Sequence, residues 1–281
     1  VNQIRHVQTN TEKHALRQTI LDWLSPLDYH PQHSDTFARS TEGTGQWFIS
    51  SPQFRSWVSA TNQTLFCPGI PGAGKTILTS IVIDHLQTKR GQSTETGIAY
   101  VYGNFQQQHK PVELLSSLLK QFLEDQDTIP EEVSTLYKEW HGPRQTQATL
   151  EEVCSHFQVV LKRYESSFIL IDALDECCPG DPSCNVLLAE LFRIQRKTKV
   201  NIYATSRFIA GATEHVQAAQ SDHLYLEIQA FGADVKRYLT GEMLQLPLCV
   251  RRNAELQTEI IDAITQCIEG MYASTISVGD N

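Results

Sequence analysis

Apolar side chains recur along this chain at helical and at strand-like spacing, and polar or turn-forming stretches separate the runs. Residues 12–24 carry Ala15, Leu16, Ile20, Leu21, Trp23 and Leu24 on one helical stripe that ends before Pro26. A loop-rich stretch runs through "STEGTGQW". Ser51-Pro52 then predicts a helix start with Phe54, Trp57 and Val58 as its buried side. "TLFCPG" is a short apolar run bounded by turn residues; a glycine loop follows, and then "KTILTSIVIDHLQ" with apolar residues on a helical face. "GIAYVYGNF" from Gly97 predicts a buried strand. Three helical patterns come next: one opened by Pro111 with Leu115, Leu118, Leu119 and Phe122, one capped by Thr128 to Glu131 with Val133, Leu136, Tyr137 and Trp140, and one capped by Thr149 to Glu152 with Val153, Phe157, Val160 and Leu161.

The apolar run "SFILID" ends in Asp172. A helix from about Asn185 to Gln195 leads into the strand "VNIYATSRF", and "HLYLEI" near Leu224 makes the last strand. Glu255 to Ile268 predicts a final amphipathic helix using Leu256, Ile260, Ile264 and Cys267, ended by Gly270. Strands separated by helices predict a parallel sheet covered on both faces. In such sheets ligands bind beyond the carboxyl ends of the strands, where the glycine loop, Asp172 and "TSR" all fall.

Composition narrows the function classes. With 281 residues and 41% apolar side chains, the chain can bury one sizeable core and a smaller appendage. The formal net charge is −9 and the basic residues are scattered, which argues against a nucleic-acid partner. No apolar run approaches the roughly 18 residues of a membrane span, so the expectation is a cytoplasmic protein with no membrane partner. Seven cysteines without paired spacing suit a reducing compartment. Their one cluster, "CCPGDPSC", lacks the spacing and the nearby histidines of a zinc site.

The chemistry concentrates in three places. Gly69, Gly74, Lys75 and Thr76 fit the spacing G-x-x-x-x-G-K-[ST], so the loop of Gly69, Ile70, Pro71, Gly72, Ala73 and Gly74 can turn its N–H groups around phosphate oxygens. Lys75 would reach the terminal phosphates, the Thr76 hydroxyl would ligate magnesium, and the dipole of the following helix adds attraction. The overlapping "GAGKTI" is no dinucleotide fingerprint, because Ile77 stands in place of the third glycine. Asp172, at the end of an apolar strand, can hold Mg2+ through its water shell; taken alone, an aspartate after a strand is more often a helix cap. Arg207 ends "YATSR" and could touch the terminal phosphate of a triphosphate, the alternative being an ordinary surface arginine.

These stretches, "TLFCPGIPGAGKTIL", "FILIDALDEC" and "YATSRF", resemble the phosphate loop, magnesium-binding strand and sensor strand of the NACHT family, signal-transduction P-loop NTPases of the STAND class. "TEGTGQWFISSPQFRSWV" and "GMY" resemble its flanking segments, and the likeness to fungal NOD-like receptors extends from about Leu21 to Tyr272. The resemblance implies an α/β fold of ASCE type: a parallel sheet sandwiched by helices, with the sensor strand between the phosphate-loop strand and the Asp172 strand. It implies a helical N-terminal linker at 1–60, an NTPase core at 61–230, and at 231–281 the start of a helical lid that stops short. By the same resemblance, Lys75 and Thr76 serve phosphate and magnesium, Asp172 serves magnesium, Asp175 or Glu176 polarises water, and Arg207 senses the nucleotide.

Ala173 is the small residue this family prefers after the magnesium aspartate, where fast ASCE ATPases usually carry a glutamate. The expected activity is therefore a weak nucleoside-triphosphate hydrolysis serving a switch, ADP-bound at rest and assembled with ATP. Family members join this module to an effector domain and a repeat array, act in innate immunity, and form homo-oligomers. The expected cofactors are Mg2+ and ATP or ADP, with GTP open because the loop does not read the base. A fast P-loop ATPase or kinase, or a scaffold that binds no nucleotide, are the competing readings.

Overall fold

The computed structural model describes residues 2–126, 128–141, 148–177, 183–208 and 223–276. Five strands, β1 (Thr64–Pro68), β2 (Thr96–Tyr102), β3 (Ser166–Asp172), β4 (Val200–Ser206) and β5 (Leu224–Tyr225), form one parallel sheet in the order β2-β3-β4-β1-β5. The runs "LFC", "FILI" and "IYA" are apolar without alternation because both faces of the sheet are covered. Strand β4 lies between β1 and β3, the arrangement expected of an ASCE-type P-loop NTPase, and that is the fold of this chain. Only two residues of "HLYLEI" form strand, yet Leu226 and Ile228 still donate backbone hydrogen bonds to Phe66 (3.1 Å) and Pro68 (2.8 Å).

Helices α1 (Asn2–Leu24), α2 (His30–Ala38), α3 (Gln46–Ile49), α4 (Pro52–Ser59) and α5 (Lys75–Arg90) precede or follow β1. Between β2 and β3 lie α6 (Pro111–Glu124), α7 (Glu131–His141) and α8 (Leu150–Leu161); α9 (Leu174–Cys177) and α10 (Ser183–Gln195) lie between β3 and β4. After β5 come α11 (Gly232–Glu242), α12 (Leu248–Arg251) and α13 (Ala254–Ile276). The expected caps are present at two helix starts. Ser51 Oγ accepts from the Phe54 N–H at 3.1 Å, and Thr149 with Glu152 forms a capping box. Trp57, Phe48 and Phe54 are buried, and Trp57 packs on Phe168 and Tyr203 on the same sheet face as α5. The opposite face carries α6, with Phe122 filling the space that a side chain at Gly97 would need.

Three local expectations are corrected. The stretch read as loop before "STEGTGQW" contains α2, whose sequence "HPQHSDTFA" has no apolar stripe. Its inner side is instead His33 and Thr36, with the His33 ring 5.0 Å from Tyr100 and its Nδ1 3.0 Å from the Tyr102 hydroxyl. Helix α7 starts at Glu131, so Thr128 stands ahead of its first turn rather than at the cap. Helix α13 continues through Gly270, a residue whose cost inside a helix is only about 1 kcal/mol. Of its expected apolar face, Ile264 and Cys267 are exposed while Thr265 is buried. The cysteines Cys178 and Cys184 fall where no side chain is described.

Buried amides lock the base of the sheet and one of its edges. Asn201, on β4, donates to the carbonyls of Trp57 and Ala60, both at 2.7 Å, and accepts from the Gln63 N–H at 2.9 Å. Gln195 donates to the Val200 carbonyl at 3.1 Å and meets Thr64 at 3.2 Å. These bonds fix β4 against β1 at their amino ends, so the register at the other end, Pro68 opposite Ser206, follows. On the outer edge of β2, Gln121 accepts from the Tyr100 N–H (2.9 Å) and donates to its carbonyl (2.8 Å), taking the place of a neighbouring strand.

The buried histidine gives the fold a pH dependence. Burial pushes the His33 imidazole below its ordinary value, His30 adds to the effect and Asp84 opposes it. The unfolded chain therefore takes up the proton first. The contribution to stability is complete above about pH 6.5 and is lost as pH falls through that value towards the lower value of the folded state. Denaturant titrations across about pH 7 to 5 should show stability falling, and His33→Gln should flatten that fall; an unchanged slope would remove His33 from the account.

Candidate functional site

The glycine loop leaves the end of β1 with its geometry fixed by close contacts. The Gly69 N–H donates to the Ser206 carbonyl at 3.0 Å, and a Cβ at Gly69 would lie 2.4 Å from the Ile228 carbonyl oxygen, so no side chain fits. Gly72 and Gly74 have φ of 80° and 87°, the left-handed region that favours glycine, and added Cβ atoms there would meet nothing within 4 Å. The space beside these two glycines is thus open. The Leu78 N–H donates to Gly74 at 2.9 Å, so the N–H groups of Lys75, Thr76 and Ile77 stand ahead of the helix ladder, at the positive end of α5. Lys75 Nζ folds back on its own loop, donating to the carbonyls of Gly69 (2.8 Å) and Ile70 (2.9 Å). Burial lowers the Lys75 ammonium from its ordinary value, while Asp175 and Asp172 pull it up.

Asp172 closes β3 and is 2% exposed. Thr205 Oγ1 donates to its Oδ1 at 2.7 Å, and Thr79 Oγ1 lies 3.0 Å from the same oxygen. Burial raises the carboxyl above the usual range, and hydrogen bonds from Thr76, Thr205 and Thr79 with the Lys75 charge hold it down. Next in the chain, Ala173 takes a left-handed φ of 49°, and its N–H donates to Thr205 Oγ1 at 2.9 Å. A Cβ on neighbouring Gly103 would lie 2.3 Å from the Ala173 carbonyl oxygen, so β2 and β3 can end side by side only with glycine there. A hydroxyl at Thr76 and a carboxylate at Asp172 are hard-oxygen groups suited to magnesium. Among the described residues no cluster of three or more His, Cys, Asp or Glu could hold a metal alone. A cation here would draw its other ligands from water and phosphate, as magnesium commonly does.

Arg207 and the acidic residues meet directly. The Arg207 N–H donates to Asp175 Oδ1 at 3.0 Å, its Nε donates to Asp175 Oδ2 at 2.5 Å, and its Nη2 is 3.4 Å from Glu176 Oε1. The Asp175 side chain is 2% exposed and that of Arg207 44%. Hydrogen bonding and charge from Asp175 raise the already high value of the Arg207 guanidinium. Both oxygens of Asp175 are committed to Arg207 in this arrangement. The three residues singled out on separate grounds thus form one ion-pair group at the carboxyl edge of β3 and β4.

A cavity of about 560 Å3 adjoins the glycine loop. Gly72 and Gly74 border it together with Ile77, Trp47, Phe231 and Tyr238, so its walls are largely apolar. Phe231 and Tyr238 escaped the sequence reading, as did Thr79 and Thr205. "TEGTGQW" was singled out only by its likeness, and a wall built from segments nearly two hundred residues apart leaves no periodic trace.

Comparison with known proteins follows the same lines. No curated protein matches the chain. Among solved structures, the Aeropyrum pernix Orc1 protein in complex with DNA is 16% identical, covers 91% of this chain and 64% of its own, and superposes with a TM-score of 0.44. The Walker-type ATPase of Pyrococcus abyssi is 11% identical over 75% of this chain and 60% of its own, with a TM-score of 0.46. For AMPPCP-bound DnaA from Aquifex aeolicus the values are 14%, 84%, 62% and 0.42. This chain therefore spans less than two thirds of the length of each. Among the described residues, no helix is long and apolar enough to cross a membrane. Residues 43–207 match the family described as nephrocystin 3, N-terminal, and because that span is more than half of the chain and runs from Gly43 through the glycine loop to Arg207, the chain belongs to this family.

Proposed function

We propose that this chain is a nucleotide-binding switch module with slow, magnesium-dependent hydrolysis. The observation that carries the reading is the glycine loop itself: an open turn at the head of a helix, a lysine beside it, and a buried aspartate on the second strand over. Phosphate oxygens would compete with the Gly69 and Ile70 carbonyls for the Lys75 ammonium, and the N–H groups at the start of α5 would supply further donors. Magnesium would supply positive charge that offsets the charge of the phosphates. Thr76 and Asp172 are the residues that would hold it. The adjoining cavity, with Trp47, Phe231 and Tyr238 in its wall, would take the nucleoside end, ATP or ADP in the first instance.

Switching rests on the Arg207 group. A terminal phosphate would compete with Asp175 for the guanidinium, so triphosphate and diphosphate differ in whether that ion pair survives. Slow hydrolysis rests on Ala173, which offers no carboxylate beside Asp172 to activate water. Assembly with copies of itself, and coupling to effector and repeat domains in a NOD-like receptor, complete the proposed role.

Titration with fluorescent ADP and ATP tests the core of this reading. Lys75→Ala should weaken both by at least about a hundredfold while leaving the thermal transition in place; unchanged affinity would end the nucleotide reading. Arg207→Ala should cut any preference for ATP over ADP to within about twofold, since one charge-assisted contact carries roughly tenfold. A preference that survives the substitution would assign sensing elsewhere. Steady-state turnover should stay well below about 1 s⁻¹, the low end for ordinary enzymes, and sustained faster turnover would favour a working ATPase.

A further inference from the structure

Helix α11 poses a question of attachment. None of its residues is buried, so apolar burial does not fix it to the rest of the protein. Its ion pair to α13, Lys236 with Asp262 at 3.1 Å, is exposed on both sides and contributes little. It packs along α13, and it is also tied to a turn almost two hundred residues earlier. Asp234 Oδ2 accepts from the Gly45 N–H at 2.7 Å, and Arg237 Nη1 donates to the Gly43 carbonyl. Trp47, just past the turn, meets Phe231, just ahead of α11, at 6.0 Å between ring centroids.

The turn is shaped for this contact. Gly43 and Gly45 have φ of 80° and 73°. A Cβ on Gly43 would lie 2.6 Å from Arg237 Nη1, and a Cβ on Gly45 would lie 3.0 Å from Ile81 Cδ1 and 3.1 Å from Leu78 Cδ1. The two glycines let the backbone lie flat between α5 on one side and the polar side chains of α11 on the other. This gives "TEGTGQW" a physical reason: one glycine admits the arginine, the other the α5 side chains. The cavity beside the glycine loop opens between these same parts, with Ile77 and Leu78 of α5 on one wall and Val235, Tyr238 and Leu239 of α11 on another.

We propose that Asp234 and Arg237 are positioning residues for the nucleoside: they latch α11 to the Gly43–Gly45 turn at the spacing that a nucleobase fills. The inference rests on the nucleotide reading above and extends it to residues that touch no phosphate. Because none of the residues of α11 is fully buried, these two bonds help set how firmly it stands against a bound base. A charge-assisted acceptor on a backbone N–H is well suited to that task, since it fixes direction as well as distance. Loss of the latch frees the α11 wall while the glycine loop, built on β1 and α5, keeps its form.

Calorimetric titration of the intact chain with ATP and with inorganic tripolyphosphate, each with magnesium, separates the two halves of the site. Asp234→Ala and Arg237→Ala should each weaken ATP by about tenfold and leave tripolyphosphate within about twofold of wild type. Asp234→Asn, whose amide oxygen can still accept from Gly45, should recover most of the ATP affinity; failure to recover overturns the hydrogen-bond role. Equal loss of both ligands, or loss of neither, overturns the latch and leaves the phosphate-loop reading standing. A wild-type protein that binds neither ligand overturns the nucleotide reading and the latch with it.

Discussion

Parallel pairing of β1 with β4 sets the level at which everything else in the candidate site is placed. Pro68 lies opposite Ser206, and the Gly69 N–H continues the ladder onto the Ser206 carbonyl, so the glycine loop begins where the sensor strand ends. A slip of one residue would turn each side chain of β4 to the opposite face. Thr205 would then leave Asp172 and Tyr203 would leave the α4 side of the sheet. The register is held from below by Asn201, whose amide saturates three backbone groups that no strand reaches. A polar residue at the bottom of the sheet thus governs the alignment of charged groups at its top.

Thr205 is the counterpart at the top. Its hydroxyl donates to the buried Asp172 carboxylate and accepts from the Ala173 N–H, joining the end of β4 to the turn after β3. Two residues on, Arg207 makes a second join to the same turn through Asp175. A carboxylate at 2% exposure is costly to ionise, and hydroxyl donors lower that cost without adding a competing charge. The end of β4 and the turn after β3 are therefore tied together at two points, Thr205 and Arg207.

Much of this was legible in the residues. The apolar runs of β1, β3 and β4, the spacing from Gly69 to Thr76 and the caps at Ser51 and Thr149 are local signals whose physics is complete within a few residues. Asp172, Asp175 and Arg207 were each visible as chemistry, but their pairing depends on strand order, which periodicity does not encode. Helix α2 was invisible because its buried face is a histidine and a threonine held by tyrosines of β2. The cavity wall was invisible for a related reason: Trp47 and Phe231 meet only through the tertiary fold. Two local signals were overread: the cap at Thr128, which stands ahead of α7, and the apolar stripe of α13, which faces solvent in part.

Gln121 has a consequence at the scale of whole molecules. Exposed strand edges invite a second chain to continue the sheet. Here the β2 edge is occupied at its middle by a side-chain amide that mimics a strand on both of its hydrogen-bonding groups, and the far edge, β5, is two residues long. Among the described residues, a second chain would thus find little regular strand at either border on which to continue the sheet.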